Sequence, residues 1–177
     1  MNEEILAMPK FNREELNFFL TLPIYRNNSE HPFPQADNIG RVFRILMFLE
    51  FGDSTCNQIM FYESFTQRQA QYYLNALMFL KLVHRKGKGV YSLTSLGEKC
   101  VHSGLRDRIK FVIEEILKNK VFRLLFEEGL THVITKENAN KIMHDLGYSP
   151  NTILRRSSTV YSWVTWCLTN FDVNLII

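Results

Sequence analysis

Between Thr66 and Gly97 the chain carries five basic residues and no acidic one, and within that stretch its apolar period changes from that of a helix to that of a strand. Ala70, Tyr73, Leu74, Leu77 and Leu80 recur at helical steps and mark one buried face. Thr66 with Gln69 makes the capping box that starts such a helix, which ends near Lys81. Then come Leu82-Val83-His84-Arg85, the turn Lys86-Gly87-Lys88-Gly89, and Val90-Tyr91-Ser92-Leu93, which read as two short strands around a glycine-bearing tip. Any fold containing this segment must hold a helix and a hairpin side by side, with no negative charge on either.

The surrounding chain is mostly helical in pattern. Asn12 and Glu15 signal a helix start, and the apolar run from Leu16 to Leu22 is stopped by Pro23. Tyr25 to Gln35 contains His31-Pro32-Phe33-Pro34, which sustains neither a helix nor a central strand, so an extended connector is expected. From Asp37 to Gly52 the residues Ile39, Val42, Phe43, Leu46 and Leu49 form a core-facing stripe. Asp53-Ser54-Thr55 offers caps for a short helix from Cys56 to Tyr62. In the second half, helices are expected over Arg106–Leu117 and Val121–Glu128, the latter closed by Gly129. A third, capped by Thr135, runs to Leu146, where Gly147 supplies a left-handed stop. Ser149-Pro150 opens the last helix, which buries Ile153, Val160, Trp163, Val164, Cys167 and Leu168 and ends near Asn170, before a β-prone tail from Val173 to Ile177. Met47, Met60, Met78 and Met143 read as core filler. The expected organisation is an N-terminal helix and connector (1–36), a first unit (37–103) and a second (104–177).

Composition narrows the class. At 177 residues with 46% hydrophobic content the chain is long enough for one ordinary core or two small ones. Cys56, Cys100 and Cys167 are too few and scattered for a disulfide framework, which suits a reducing compartment. The start is acidic where a signal peptide would be basic, and the longest purely apolar run, Ile45 to Leu49, is far short of a membrane span. A soluble cytoplasmic protein without membrane partners is expected. The five histidines stand far apart, and Cys100 with His102 has no second ligand pair, so no metal site is expected. Glu114-Glu115 with Lys118 reads as a solvated helix face, and P-loop, GxGxxG and GxSxG patterns do not occur. The expectation is a chain with neither a catalytic site of its own nor a cofactor.

The charge distribution points elsewhere. Besides Thr66–Gly97, the segment Leu146–Phe171 also lacks acids, and each contains a helix that could face a polyanion. On the first, a helical wheel turns Arg68, Gln71, Tyr72 and Asn75 outward, with Thr66 and Gln67 at the helix start. Arginine pairs with guanine edges, and glutamine or asparagine with adenine. Gln69 is assigned to the capping box, and Tyr73 to the core. Arg85, Lys86 and Lys88 at the hairpin tip suit phosphate or minor-groove contact. On the last helix Asn151, Arg155, Ser158 and Ser162 face outward, with Thr152 near the start and Arg156 at the margin, where Asp145 offers a competing ion pair. Double-stranded DNA is the partner this set implies.

Two stretches carry a resemblance. Thr66-Gln67-Arg68-Gln69-Ala70-Gln71-Tyr72-Tyr73-Leu74-Asn75-Ala76-Leu77, then Leu82-Val83 and Tyr91-Ser92-Leu93-Thr94-Ser95-Leu96-Gly97, resembles the recognition helix and wing of winged helix-turn-helix DNA-binding domains. Leu146-Gly147-Tyr148-Ser149-Pro150-Asn151-Thr152, through Arg155-Arg156-Ser157-Ser158-Thr159-Val160 to Trp163 and Trp166, is similar to the helix-turn-helix in DNA-recognition parts of bacterial restriction endonucleases. The resemblance covers about residues 37 to 170 and implies a mainly α fold with short β-hairpin wings, a tandem winged helix-turn-helix. It implies target recognition within a restriction-modification system, with the nuclease domain or subunit supplied separately, since these residues hold none. A dimeric transcriptional repressor and a winged-helix protein-interaction module are the alternatives.

Overall fold

The computed structural model describes residues 10–25, 33–172 and 174. The expected caps set the helix boundaries. α1 (Arg13–Thr21), α3 (Cys56–Glu63), α4 (Gln67–Phe79) and α8 (Lys136–Asp145) each begin in a reciprocal capping box, formed by Asn12 with Glu15, Thr55 with Gln58, Thr66 with Gln69, and Thr135 with Asn138. α2 (Ile39–Phe48) starts at Asn38, one residue later than the sequence pattern places it, and passes into a 3₁₀ turn, Leu49–Phe51. Gly52 then reverses the chain at φ 135°.

The hairpin forms as β2 (Val83–Arg85) and β3 (Val90–Leu93). A third strand, β1 (Ser54–Thr55), joins it, giving an antiparallel sheet of order β1-β3-β2 with Ser54 opposite Tyr91 and Val83 opposite Leu93. The sequence reading treated Ser54 and Thr55 only as caps, because two residues are too few to display a strand period. The short helix α5 (Ser95–Val101) was likewise not expected. It is tied to the end of α4 by Thr94, whose hydroxyl accepts from the Gly97 N–H at 3.0 Å and donates to the Lys81 carbonyl at 2.6 Å. Gly97 itself lies against the Leu82 carbonyl. The Leu-Thr-x-x-Gly motif is thus a clamp holding helix, hairpin and α5 together.

α6 (Leu105–Leu117), α7 (Lys120–Gly129) and α9 (Pro150–Thr169) complete the fold, with α9 packed on α7 and α8. Gly129 closes α7 as expected, as its last residue and without a positive φ, and it gives α9 close approach, since a Cβ there would stand 2.5 Å from Leu168. Gly147 does adopt the left-handed conformation, at φ 82°. Buried residues from Phe11 to Phe171 form one continuous apolar cluster that includes Met78 and Met143, with Met47 and Met60 packed against it. α1 joins it through Phe11 and Phe19, which lie edge-on or tilted against Phe171.

Among the described residues the second half contains no hairpin, so a second wing is absent there. Four helices account for that half, and its apolar positions keep helical spacing throughout. Val173 and residues 175–177, most of the expected β-prone tail, and residues 26–32 of the connector lie outside the described residues. The rest of the connector docks: Phe33 stacks on Phe122 at 5.6 Å, and the Trp163 indole N–H donates to the Ala36 carbonyl at 2.7 Å.

Among the described residues Glu15 is held below its ordinary pKa by the Arg106 hydrogen bond, Asp53 by the Ser92 hydroxyl and then Lys86, and Glu63 by Arg44; Glu137 is lowered too, by a backbone N–H and then Thr135. The unfolded chain binds protons at these sites more readily than the folded one, so their stabilisation is complete above about pH 5 and is lost as pH falls through the lowered values. Glu114, raised by burial, acts in the opposite sense. The urea midpoint is expected to be flat from about pH 7 to 5.5 and to fall below about pH 4. A midpoint that stays constant below that range would show that these contacts contribute nothing.

Candidate nucleic-acid interface

The two acid-free helices meet at one phenol. Arg68, exposed in the first turn of α4, donates through Nε to the Tyr72 hydroxyl, and its guanidinium sits 5.4 Å from the Tyr72 ring centre. Arg155, exposed in the second turn of α9, lies near enough to the same phenol to help lower its pKa. The Arg68 hydrogen bond, followed by the charge of Arg68 and the contact with Arg155, lowers the pKa of the phenol. Two guanidiniums from opposite halves of the chain therefore share one surface. Among the described residues neither forms an ion pair with a carboxylate, whereas Arg44 faces Glu63, Arg106 faces Glu15 and Lys86 faces Asp53.

The other expected contact residues divide. Gln67 and Asn151 are exposed at the starts of their helices. Thr66 spends its hydroxyl in the capping box, and Thr152 pairs with the cap residue Ser149 at 2.9 Å. Gln71 and Asn75 are not turned outward as the wheel suggested. Both are half-buried, with Gln71 Nε2 donating to Asn75 Oδ1 at 2.9 Å and meeting the Tyr91 hydroxyl at 3.2 Å. The hairpin crosses that side of α4, a tertiary contact a single-helix wheel cannot contain. Ser158 and Ser162 are half-buried too. Arg156 makes no ion pair with Asp145: its guanidinium donates to the Phe33 carbonyl at 2.6 Å and holds the connector on α9, and burial lowers its pKa.

At the hairpin tip Gly87, Lys88 and Gly89 all have positive φ, of 96°, 40° and 78°, so a tight left-handed turn lifts Lys88 clear of the sheet. Arg85 and Lys88 are exposed, but Lys86 is not free, since Asp53 takes its ammonium at 3.0 Å and the Ser92 hydroxyl at 2.6 Å. Asp53 thereby ties the hairpin to the loop after α2.

Sequence reasoning missed the structural roles of two residues. Tyr72 was read as a contact, without its role as the junction between the halves. Arg123, 1% exposed on α7, was given no role, yet it donates to the carbonyls of Phe19, Leu20, Leu22 and Leu117. It supplies donors for the C-terminal end of α1, which has no basic residue in its own last turn. One signal was available: Arg123 is the only polar side chain in Val121-Phe122-Arg123-Leu124-Leu125-Phe126.

Among the described residues no group of three or more His, Cys, Asp or Glu is placed to hold a metal ion, and no helix is long and apolar enough to cross a membrane. The model of one family, Domain of unknown function (DUF7226), matches residues 41–172, and the chain belongs to that family. The match takes in α4, the hairpin and α9 together. No curated protein and no solved structure matches the chain.

Proposed function

We propose that the protein binds double-stranded DNA sequence-specifically through the surface shared by α4 and α9. The observation that carries this is the convergence of Arg68 and Arg155 on Tyr72, two guanidiniums without carboxylate partners on helices free of acids. The order α2, β1, α3, α4, β2, β3 with sheet order β1-β3-β2 supports reading the first half as a winged helix-turn-helix, with α4 as recognition helix and Arg85 and Lys88 as the wing's phosphate contacts. α8, the Gly147 turn and α9 form the second helix-turn-helix in this reading, without a wing. Arg68, Gln67, Arg155 and Asn151 are its base-reading residues, while Gln71, Asn75 and Arg156 position the helices.

Lacking a nuclease centre of its own in this reading, the protein serves as the target-recognition part of a restriction-modification enzyme, which the resemblance in Leu146–Trp166 favours. With a net charge of only +3, affinity must come from placed contacts more than from bulk attraction. Arg68→Ala and Arg155→Ala are each expected to cost about 1–3 kcal/mol on the preferred duplex, with little loss on random duplex, in fluorescence-anisotropy titrations. Equal losses on both duplexes, with a shallower salt dependence, would assign the two arginines to phosphates and remove them from base reading.

A further inference from the structure

A second site lies on the other side of α9. Between α8 and the first half of α9 a cleft of about 500 Å³ opens, a size suited to a small organic molecule. Its walls are apolar, from Pro150, Ile153 and Leu154. Leu154, 77% exposed, forms an apolar rim to the cleft.

Two buried polar atoms of the cleft-lining residues are unsatisfied. Ser157 is 0% exposed, and its Oγ has no hydrogen-bond partner among the described residues; the same holds for the buried Oδ1 of Asn140. Both residues line the cleft. Burying such an atom without a partner costs about 1–3 kcal/mol, so two in one small space signal a partner from outside the chain. Lys136, Lys141 and His144 stand exposed around the cleft, and no carboxylate lines it, although Asp145 faces His144 at 3.4 Å.

We propose that this cleft binds a small organic carboxylate with an apolar body and an amide or hydroxyl group, the carboxylate facing the lysines and the polar group reaching Asn140 and Ser157. Asn140 Oδ1 can only accept, so the ligand must donate there, which a carboxylate alone does not do. The lysines supply the opposite charge and the walls take the apolar body. The site does not rest on the DNA reading, because Arg155 lies more than a quarter-turn around α9 from Pro150, Leu154 and Ser157.

Hippurate, which combines an aryl ring, an amide N–H and a carboxylate, is the probe, and its neutral carboxamide is the control. In amide-resolved NMR of the full chain, hippurate is expected to shift signals confined to α8 and the first half of α9, with the carboxamide at least about tenfold weaker. Lys141→Glu, an exposed change, should weaken hippurate by about tenfold. Ser157→Ala should also weaken it while leaving the free protein no less stable, a combination that a merely structural serine would not give. Shifts that are absent up to about 10 mM, scattered over the surface or equal for the carboxamide would overturn the proposal. Arg68→Ala and Arg155→Ala should leave hippurate binding unchanged, which separates failure here from failure of the DNA reading.

Discussion

Arg123→Ala is expected to lower the unfolding free energy by about 3–5 kcal/mol, one of the two largest effects available in this chain. Its guanidinium is almost wholly enclosed and reaches four main-chain carbonyls, three of them at the end of α1. Alanine would take the guanidinium from those carbonyls, of which Phe19 keeps the Leu22 N–H, and remove the stem that fills the space between α1 and α7. Burial disfavours the charge, and Glu127 at 3.8 Å offsets only part of that penalty. Arg123→Met keeps most of the stem, so the difference between the two variants isolates the polar contribution. Urea unfolding at neutral pH is the measurement. A loss under about 1 kcal/mol for alanine would show that α1 is held by its phenylalanines alone.

Gly97→Ala is the second. A Cβ at this position would stand 2.0 Å from the Leu82 carbonyl oxygen and 3.1 Å from its carbon, both main-chain atoms that cannot swing aside. Either α5 moves off the hairpin or the hairpin shifts, at an expected cost of about 3 kcal/mol or more. Gly104, at the start of α6, has open space where its Cβ would lie and no positive φ. Gly104 is the N-cap of α6, so Gly104→Ala should cost no more than about 1 kcal/mol, the ordinary cost of alanine at a cap, under the same denaturation. Equal effects at the two glycines would mean that close packing at Leu82 is not what requires glycine. Because Leu82 leads into β2, Gly97→Ala should also disturb the hairpin tip more than Gly104→Ala, readable in the amide signals of Arg85 and Lys88.

What could be read from the chain and what could not divides along the range of the interactions. Caps act within one helical turn, so Asn12, Thr55, Thr66, Thr135 and Ser149 marked helix starts that the structure places where the pattern puts them. The switch from helical to alternating period located the hairpin to within a residue or two. Contacts between distant segments left almost no local trace. β1 exists only because β3 lies beside it; Arg156 is occupied by Phe33, and Gln71 by Tyr91. A wheel drawn for one helix turns Gln71 and Asn75 outward because it contains no hairpin. For the same reason the meeting of Arg68 and Arg155, 87 positions apart in sequence, was invisible, although both arginines were singled out separately. Absence of acids was the one long-range clue that survived in one dimension, since it depends on composition and not on contact.

Selection from randomised duplex DNA at near-physiological salt, with the enriched sites read by sequencing, tests the central claim most directly. The account predicts enrichment of a site of several base pairs, lost when Arg68 and Arg155 are both replaced by alanine. An asymmetric site would fit one chain reading with both halves, as in restriction-enzyme recognition, and a palindrome would fit a dimeric repressor. No enrichment, together with no duplex binding even at low salt, would contradict the account.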